Sequence, residues 1–367
     1  MLKIIEGSIE SVPGFRAAGV RCGIKNEPNP DLGVIVCDTP CTAAAVFTTN
    51  RVQAAPVLYC KKVLAANADK VRAVVVNAGN ANACTGEQGH SDAAVVADEA
   101  ERLLGLESGS ALVMSTGVIG VPLPVDKLYI GLGEVKDHLA KNVGKNFSRA
   151  IMTTDLVEKS LAVRFEIAGC KVTMGAAAKG SGMIHPNMAT MLGFITTDAA
   201  VEQGVLQHAL REAASRTFNM ISVDGDQSPN DSVFLLASGS SGAPKIKSPD
   251  SPEYEAFYEA LYLVCETLAK KIAADGEGAT RLVEIRVKGS RKFEEAQRVA
   301  RAVAGSPLVK TAIHGADPNW GRIICAAGSS GIPVEPDKID IYFGRLLAVK
   351  GGLAAETARD KLAGELN

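Results

Sequence analysis

The sequence is poor in aromatic side chains and has almost no excess of either charge. Phe, Trp and Tyr make up 5% of its 367 residues, and the net charge is −2. No basic block or stripe is present, so we predict neither a nucleic-acid partner nor an anionic-membrane surface. No apolar run approaches the length that spans a bilayer. The hydrophobic fraction of 47% and the charged fraction of 22% are those of an ordinary globular protein.

The eight cysteines form no recognisable metal or redox motif. Cys37 and Cys41 have the wrong spacing for a redox pair, and no second Cys or His cluster completes a zinc site. The N-terminal stretch contains Glu6 and Glu10 and no sustained apolar run, unlike a secretory signal or an Arg-rich transit peptide. We therefore expect buried, reduced thiols, no metal and a cytoplasmic location.

Short β-rich runs alternate with amphipathic helical patterns along the chain. The runs predicted as strands are residues 72–76, 111–114, 161–167, 171–174, 233–237, 281–287 and 338–343. Helices are predicted near residues 91–104, 201–217, 252–272 and 293–303. Because strands and helices follow no strict βαβ order, we predict a mixed α/β fold, an α+β layered sandwich, with a smaller α/β region from about residue 245 onward.

Four Gly-rich polar segments follow or adjoin predicted strands, where α/β folds usually place their sites. They are residues 77–86, 114–120, 178–190 and 223–231. In the third segment Lys179 precedes the glycines, the reverse of a nucleotide-binding P-loop, so nucleotide binding is not expected. The pair Gly131 and Gly133 lacks the third glycine of a dinucleotide fingerprint.

Thr190 stands at the end of the third segment, after the small residue Ala189 and before an apolar run. Its pattern alone is that of a β-branched residue at the start of a strand. The chemical alternative is that Thr190 Oγ attacks the Ala189 carbonyl, cleaves the chain and becomes an N-terminal nucleophile with its own amine as base. The residues by themselves leave both interpretations open.

Several motifs, in order along most of the chain, closely resemble those of the ornithine acetyltransferases, also called glutamate N-acetyltransferases. The matching segments are residues 39–50, 77–86, 115–117, 150–155, 179–198, 275–280 and 317–322. The resemblance implies a self-cleaving, N-terminal-nucleophile-like acetyltransferase fold with a smaller C-terminal domain. It also implies cleavage into an α chain of residues 1–189 and a β chain of residues 190–367.

The resemblance implies a role for each matched residue. Thr190 is the nucleophile, and cleavage falls between Ala189 and Thr190. Thr116 and Gly117 occupy the oxyanion-hole positions. The residues that would hold the amino-acid substrate, besides Thr190 itself, are Thr153, Lys179 and Glu277. A lysine suits the substrate carboxylate and a glutamate suits its amine.

The implied reaction moves acetyl from N-acetylornithine to glutamate through an acetyl ester on Thr190. No cofactor is implied, and acetyl-CoA remains open as a second acetyl donor. The family suggests an α2β2 assembly of the cleaved halves. Two departures from the family stand out: Gln227 and Pro229 replace small hydroxyl residues, and no match occurs to a final segment that supplies an Asn and a hydroxyl residue to the substrate site.

Two other functions compete with the transferase. A self-cleaving aminopeptidase or amidohydrolase would share the fold and the nucleophile but discharge the acyl group to water. A non-catalytic amino-acid-binding protein would never cleave at Thr190. The matches at Lys179 and Glu277 favour the transferase.

Cleavage between Ala189 and Thr190 predicts two fragments of similar size for the purified protein. Denaturing electrophoresis and an intact-mass spectrum measure this directly. A single band with the mass of the whole chain would instead indicate the binding protein or an uncleaved precursor.

Overall fold

A computed structural model describes residues 2–140, 145–185 and 191–366. The chain divides into two compact units. The first comprises residues 1–219 and 226–277, and the second comprises residues 220–225 and 278–367. In the part of the chain that is described, no helix is long and apolar enough to cross a membrane.

The strands of the first unit form one nine-stranded mixed sheet in the order β1-β6-β7-β8-β9-β3-β4-β5, with β2 paired to β3. Their bounds are β1 (Lys3–Ile5), β2 (Phe15–Val20), β3 (Leu32–Phe47), β4 (Val71–Asn80), β5 (Ala111–Val118), β6 (Lys159–Ile167), β7 (Cys170–Lys179), β8 (Leu192–Thr197) and β9 (Ser232–Ala237).

The long strand β3 joins the two halves of this sheet. Its first part pairs with β2 and β4, and its second part pairs antiparallel with β9 from Thr42 to Phe47. The register shifts between Val36 and Cys41, where the strand is irregular. An irregularity of this kind bends a strand and increases its twist, so one strand can serve two differently oriented sets of partners.

Helices cover both halves of the sheet. Their bounds are α1 (Ala55–Asn67), α2 (Gly86–Leu104), α3 (Val125–Ala140), α4 (Lys145–Ala150), α5 (Gln203–Arg216) and α6 (Pro252–Ala274). The first four pack on strands β2 to β5, and α5 and α6 pack on β3, β6 and β7. Between the halves, the rings of Phe147 and Phe194 pack edge to face, with their centroids 5.2 Å apart. Layers of sheet and helix around a shared core confirm the predicted mixed α/β fold.

The second unit is smaller. It contains α7 (Phe293–Gly305), α8 (Pro307–His314), α9 (Trp320–Gly328), β10 (Ile341–Phe343), β11 (Leu346–Lys350), β12 (Leu353–Ala354) and α10 (Arg359–Gly364). Residues 220–225 join it because Lys310 Nζ donates to the carbonyl of Val223 at 2.7 Å. Apolar faces of the helices supply its core, which includes Val303, Val309 and Ala326.

Most predicted elements are confirmed, but three expectations are wrong. Residues 281–287 alternate like a strand yet form none, because no described segment pairs with them, and a strand is defined by its ladder. The second unit's main segment begins at Gly278, not near residue 245, because α6 packs on β6 and β7 of the first unit. All eight cysteines are free thiols, but Cys84 and Cys325 are exposed.

The two glycines of α3 offer a matched test of packing. A Cβ on buried Gly131 would lie 2.7 Å from Cys22 Cβ and 2.7 Å from Leu32 Cδ2, whereas one on Gly133 would meet nothing within 4 Å. We expect Gly131→Ala to lower the free energy of unfolding by about 1–3 kcal/mol. Gly133→Ala should raise it by about 0.5–1 kcal/mol through helix propensity. Denaturant unfolding of both variants measures these free energies. Equal changes in the two variants would contradict the close packing of Gly131.

Candidate active site

Two predicted site residues from distant strands meet in the first unit. Lys179 ends β7 and Thr116 lies near the end of β5, and four other strands separate β7 from β5 in the sheet. The Lys179 ammonium nevertheless donates to Thr116 Oγ1 at 3.3 Å. The two halves of the sheet therefore bring their strand ends together, and the site can form there.

Lys179 is a buried cation, with a relative exposure of 7%. Burial lowers the pKa of its ammonium, and the carboxylates of Asp155 and Asp231, with Glu277 more weakly, offset this lowering only in part. A buried ammonium needs such partners, because its desolvation is otherwise too costly. Lys179 is therefore not a solvated surface lysine, and its amino group lies where it can contact an anionic group.

Glu277 lies in the loop that follows α6 and is exposed. Its backbone N–H donates to the Ser181 carbonyl at 3.2 Å. A Cβ placed on Gly182 would come within 2.6 Å of the Glu277 carboxylate, so that carboxylate lies directly against the backbone after Lys179. A larger residue at position 182 would make the Glu277 carboxylate move away. The Glu277 carboxylate thus lies against the short segment that begins at Lys179.

Thr153 lies in a bend after α4. Its backbone N–H donates to Asp155 Oδ2 at 3.0 Å, while Asp155 Oδ1 accepts from the Gly180 N–H at 2.7 Å. The same carboxylate thus connects the Thr153 bend to the residue after Lys179. The structure therefore places the backbone of Thr153 beside the Lys179 segment.

The predicted oxyanion turn depends on close backbone approach. Gly117 has a φ of +133°, and a Cβ there would lie 2.3 Å from the carbonyl carbon of Gly79 in the neighbouring strand. Any larger residue would push β4 and β5 apart. Gly117 is exposed and Thr116 is half-buried, so this turn can be reached by a small ligand.

Buried asparagines hold that turn in place. Asn230 Nδ2 donates to the carbonyls of Ala81 and Ser115 at 2.6 and 2.9 Å. Ser115 Oγ in turn donates to Asn77 Oδ1 at 2.6 Å. These hydrogen bonds connect the start of β9 to the polar segment after β4 and to the residue before Thr116. They explain why this segment is rich in asparagine although it is buried.

The predicted nucleophile Thr190 and the preceding Ala189 lie outside the described residues. The next residue, Met191, is described and is buried. A Cβ on Gly180 would lie 3.4 Å from Met191 Cβ, and Lys179 pairs with Leu192 in the β7–β8 ladder. The chain that follows Thr190 therefore begins beside Lys179.

Three acidic residues at the site were missed by sequence reasoning. Asp155 and Asp275 lie within quoted motifs without an assigned role, and Asp231 ends the fourth polar segment. All three are buried. Their only sequence signal is an acid beside a predicted strand or at the end of an apolar helix, which does not reveal which charge it faces. Within the described ranges, no group of three His, Cys, Asp or Glu side chains is arranged to hold a metal ion.

Comparison with known proteins gives the family. The ArgJ family matches residues 16–367. The arginine biosynthesis bifunctional protein ArgJ of Symbiobacterium thermophilum is 50% identical over 350 residues, which are 95% of this chain and 86% of that protein. The protein of the same name from Geobacillus stearothermophilus is 49% identical over 348 residues, 95% of this chain and 84% of its own length. The chain belongs to the ArgJ family.

One solved structure is reported beside these relatives. The ornithine acetyltransferase of Mycobacterium tuberculosis, crystallised with ornithine, is 38% identical and aligns with a TM-score of 0.47. The alignment covers 52% of this chain and all of that one.

The charge on Asp155 should make the stability of the protein depend on pH. Burial acts to raise the pKa of its carboxyl, but Lys179 and Lys159 together outweigh burial, so the pKa is lowered. The stabilisation that the ionised Asp155 contributes is fully present above about pH 4, where an ordinary carboxyl group is ionised. It is lost as the pH falls through the lowered pKa of Asp155. We expect Asp155→Asn to cost about 3 kcal/mol of unfolding free energy at pH 7 and much less in acid.

Denaturant unfolding of the wild type and of Asp155→Asn, at pH 7 and in acid, measures this difference in unfolding free energy. Asp38→Asn is the control, because Asp38 pairs with Arg16 at 2.9 Å on the surface. Such pairs contribute about 0–1 kcal/mol. A loss at pH 7 no larger for Asp155→Asn than for Asp38→Asn would contradict the buried ion pairing.

Proposed function

We propose that this chain transfers the acetyl group of N2-acetylornithine to glutamate through an acetyl ester on Thr190. As a member of the ArgJ family, the chain is an acetyltransferase of arginine biosynthesis. The substrates and the covalent route are the proposal. It is supported most directly by the hydrogen bond of 3.3 Å between Lys179 and Thr116. This contact puts the lysine that would bind the substrate carboxylate against the turn that would stabilise the oxyanion.

The first half-reaction opens the amide of the donor. Thr190 Oγ attacks the acetyl carbonyl carbon while the amine of Thr190, freed by cleavage, takes the hydroxyl proton. Thr116 and Gly117 stabilise the oxyanion of the tetrahedral intermediate. The carbon–nitrogen bond then breaks, the proton passes to the departing ornithine amine, and the acetyl group remains on Thr190 as an ester.

The second half-reaction reverses the order with a different amine. Glutamate enters, its amine attacks the ester carbonyl and gives up a proton, and the carbon–oxygen bond to Thr190 breaks. Thr190 Oγ regains the proton, and N-acetylglutamate leaves. N2-acetylornithine carries an α-carboxylate and a free side-chain amine, and glutamate carries an α-carboxylate and a free α-amine, so one pocket with a cation and an anion suits both.

The arrangement of Lys179 and Glu277 supports this pocket. The Lys179 side chain is buried close to the carboxylates of Asp155 and Asp231, and the carboxylate of Glu277 is exposed against Gly182. Thr153 is tied to the same stretch through Asp155. Opposite charges on adjoining segments fit a zwitterionic substrate better than an uncharged one.

We further propose that no cofactor takes part, that acetyl-CoA serves as a second donor at the same Thr190, and that the cleaved halves assemble as α2β2 in the cytoplasm. The word bifunctional in the relatives' names supports a second donor.

A covalent acetyl ester predicts two independent observations. Initial rates at several fixed glutamate concentrations should give parallel double-reciprocal lines, because one product leaves before the second substrate enters. Mass spectrometry of protein quenched with N-acetylornithine alone should find one acetyl group on the peptide that begins at Thr190. Intersecting lines without an acetylated peptide would refute the covalent route.

The hydrolase alternative is separated by omitting the acceptor. The transferase should release ornithine continuously from N-acetylornithine only when glutamate is present. Equal release of free acetate with and without glutamate would establish the hydrolase instead.

A further inference from the structure

Close to the candidate site, one lysine is enclosed by two carboxylates. Lys159 begins β6, and its side chain is fully buried. Its ammonium donates to Asp155 Oδ1 at 2.7 Å, to Asp275 Oδ2 at 2.6 Å and to the Val157 carbonyl at 3.3 Å. An ammonium has three donors, so these contacts account for all of them.

The first carboxylate binds the backbone of two predicted substrate segments. Asp155 accepts from the N–H of Thr153 at 3.0 Å and from the N–H of Gly180, the residue after Lys179, at 2.7 Å. Hydrogen bonds from backbone N–H groups to an ionised carboxylate are short and strong. The ionised state of Asp155 therefore holds both segments.

The second carboxylate anchors the loop that carries Glu277. Asp275 Oδ2 accepts from the N–H groups of Leu156 and Val157 at 3.0 and 3.4 Å. The Asp275 carbonyl accepts from Ser181 Oγ at 2.7 Å, and the Ser181 carbonyl accepts from the Glu277 N–H. The segments around Thr153, Lys179 and Glu277 are thus tied together through one ion cluster.

We propose that Lys159 is the positioning residue of the amino-acid pocket, acting through Asp155 and Asp275 and not by touching substrate. The inference rests on the proposed function for the roles of Thr153, Lys179 and Glu277. Lys159 is the ammonium that joins the two buried carboxylates. Without it, the two carboxylates lose the cation that they share, and one of them takes up a proton or draws in water.

The consequence is specific to substrate recognition. When either carboxylate loses its charge or shifts, Thr153, Lys179 and Glu277 are displaced together. A displacement of about 1 Å in a binding group is enough to cost about 100-fold in substrate use. The backbone of the oxyanion turn at Gly117 is held by its close approach to β4 and by Asn230. Its described link to the cluster is the side-chain contact from Lys179 to Thr116 Oγ1, so we expect the turn to shift less than the substrate segments.

The test compares Lys159→Met with Lys271→Met in the full chain. Lys271 Nζ donates to the carbonyl of Ser160, next to Lys159, at 2.8 Å. Among the described residues, its ammonium has no hydrogen bond to the segments of Thr153, Lys179 or Glu277. Calorimetric titration measures the binding of ornithine and glutamate. A second assay measures the rate at which p-nitrophenyl acetate acetylates Thr190, because this acetyl donor has no amino-acid part and does not need the amino-acid pocket. Lys159→Met should weaken both amino acids about 10- to 100-fold and lower the acetylation rate by a much smaller factor, and Lys271→Met should change neither.

Two further variants keep the test decisive. Asp275→Asn is isosteric and should weaken amino-acid binding in the same direction, so it replaces Lys159→Met if that variant does not fold. Thr153→Ala should weaken binding in the wild-type background but add little to Lys159→Met, because the Thr153 contact is already displaced there.

The outcomes separate this inference from the proposed function. If the wild-type chain binds both amino acids but transfers no acetyl group, the proposed function fails, while binding by the variants still decides the role of Lys159. Wild-type affinity in Lys159→Met or Asp275→Asn would overturn that role. A parallel loss of amino-acid binding and of acetylation would also overturn it, because it would reveal a general loss of folding.

Discussion

The candidate site depends on the cost of burying charge. Two lysines, Lys159 and Lys179, are buried within one region of the first unit. Burying either ammonium without Asp155 and its neighbouring acids would be costly, because an unpaired ammonium in a dry interior is strongly destabilised. The acids in turn accept backbone N–H groups from separate segments. The carboxylates that pair with the buried lysines therefore also hold the separate segments of the site in place.

The sheet brings this cluster to the oxyanion turn. Lys179 and Thr116 end strands with four others between them, and they meet because β3 changes partners along its length. The close backbone approach at Gly117 and Gly79 lies near the end of β5, where Gly117 is exposed. Family membership says which chemistry to look for, and this geometry shows how a lysine ammonium and an exposed turn come to lie side by side.

Local sequence patterns predicted much of the fold. Side-chain periodicity, which reflects local contact with a core, predicted strands β4, β5, β6, β7 and β9 and helices α2, α5, α6 and α7. It did not predict the long strand β3. Residues 281–287 show the limit, since their alternation is strand-like and no described segment pairs with them. The same limit applies to α6, whose apolar face is evident from its sequence but whose packing on β6 and β7 is not.

The sequence by itself determined the family, the motif order and the identity of Thr116, Gly117, Thr153, Lys179, Thr190 and Glu277 as site residues to test. Only the tertiary structure decided that Lys179 is buried against Thr116 and that Glu277 lies on Gly182. It also singled out Lys159, Asp155 and Asp275, which carry no motif role. The reason is physical. The type of a residue fixes its chemistry, but its partners can lie in distant segments of the chain, as Asp275 does for Lys159, and only folding sets the distance between them.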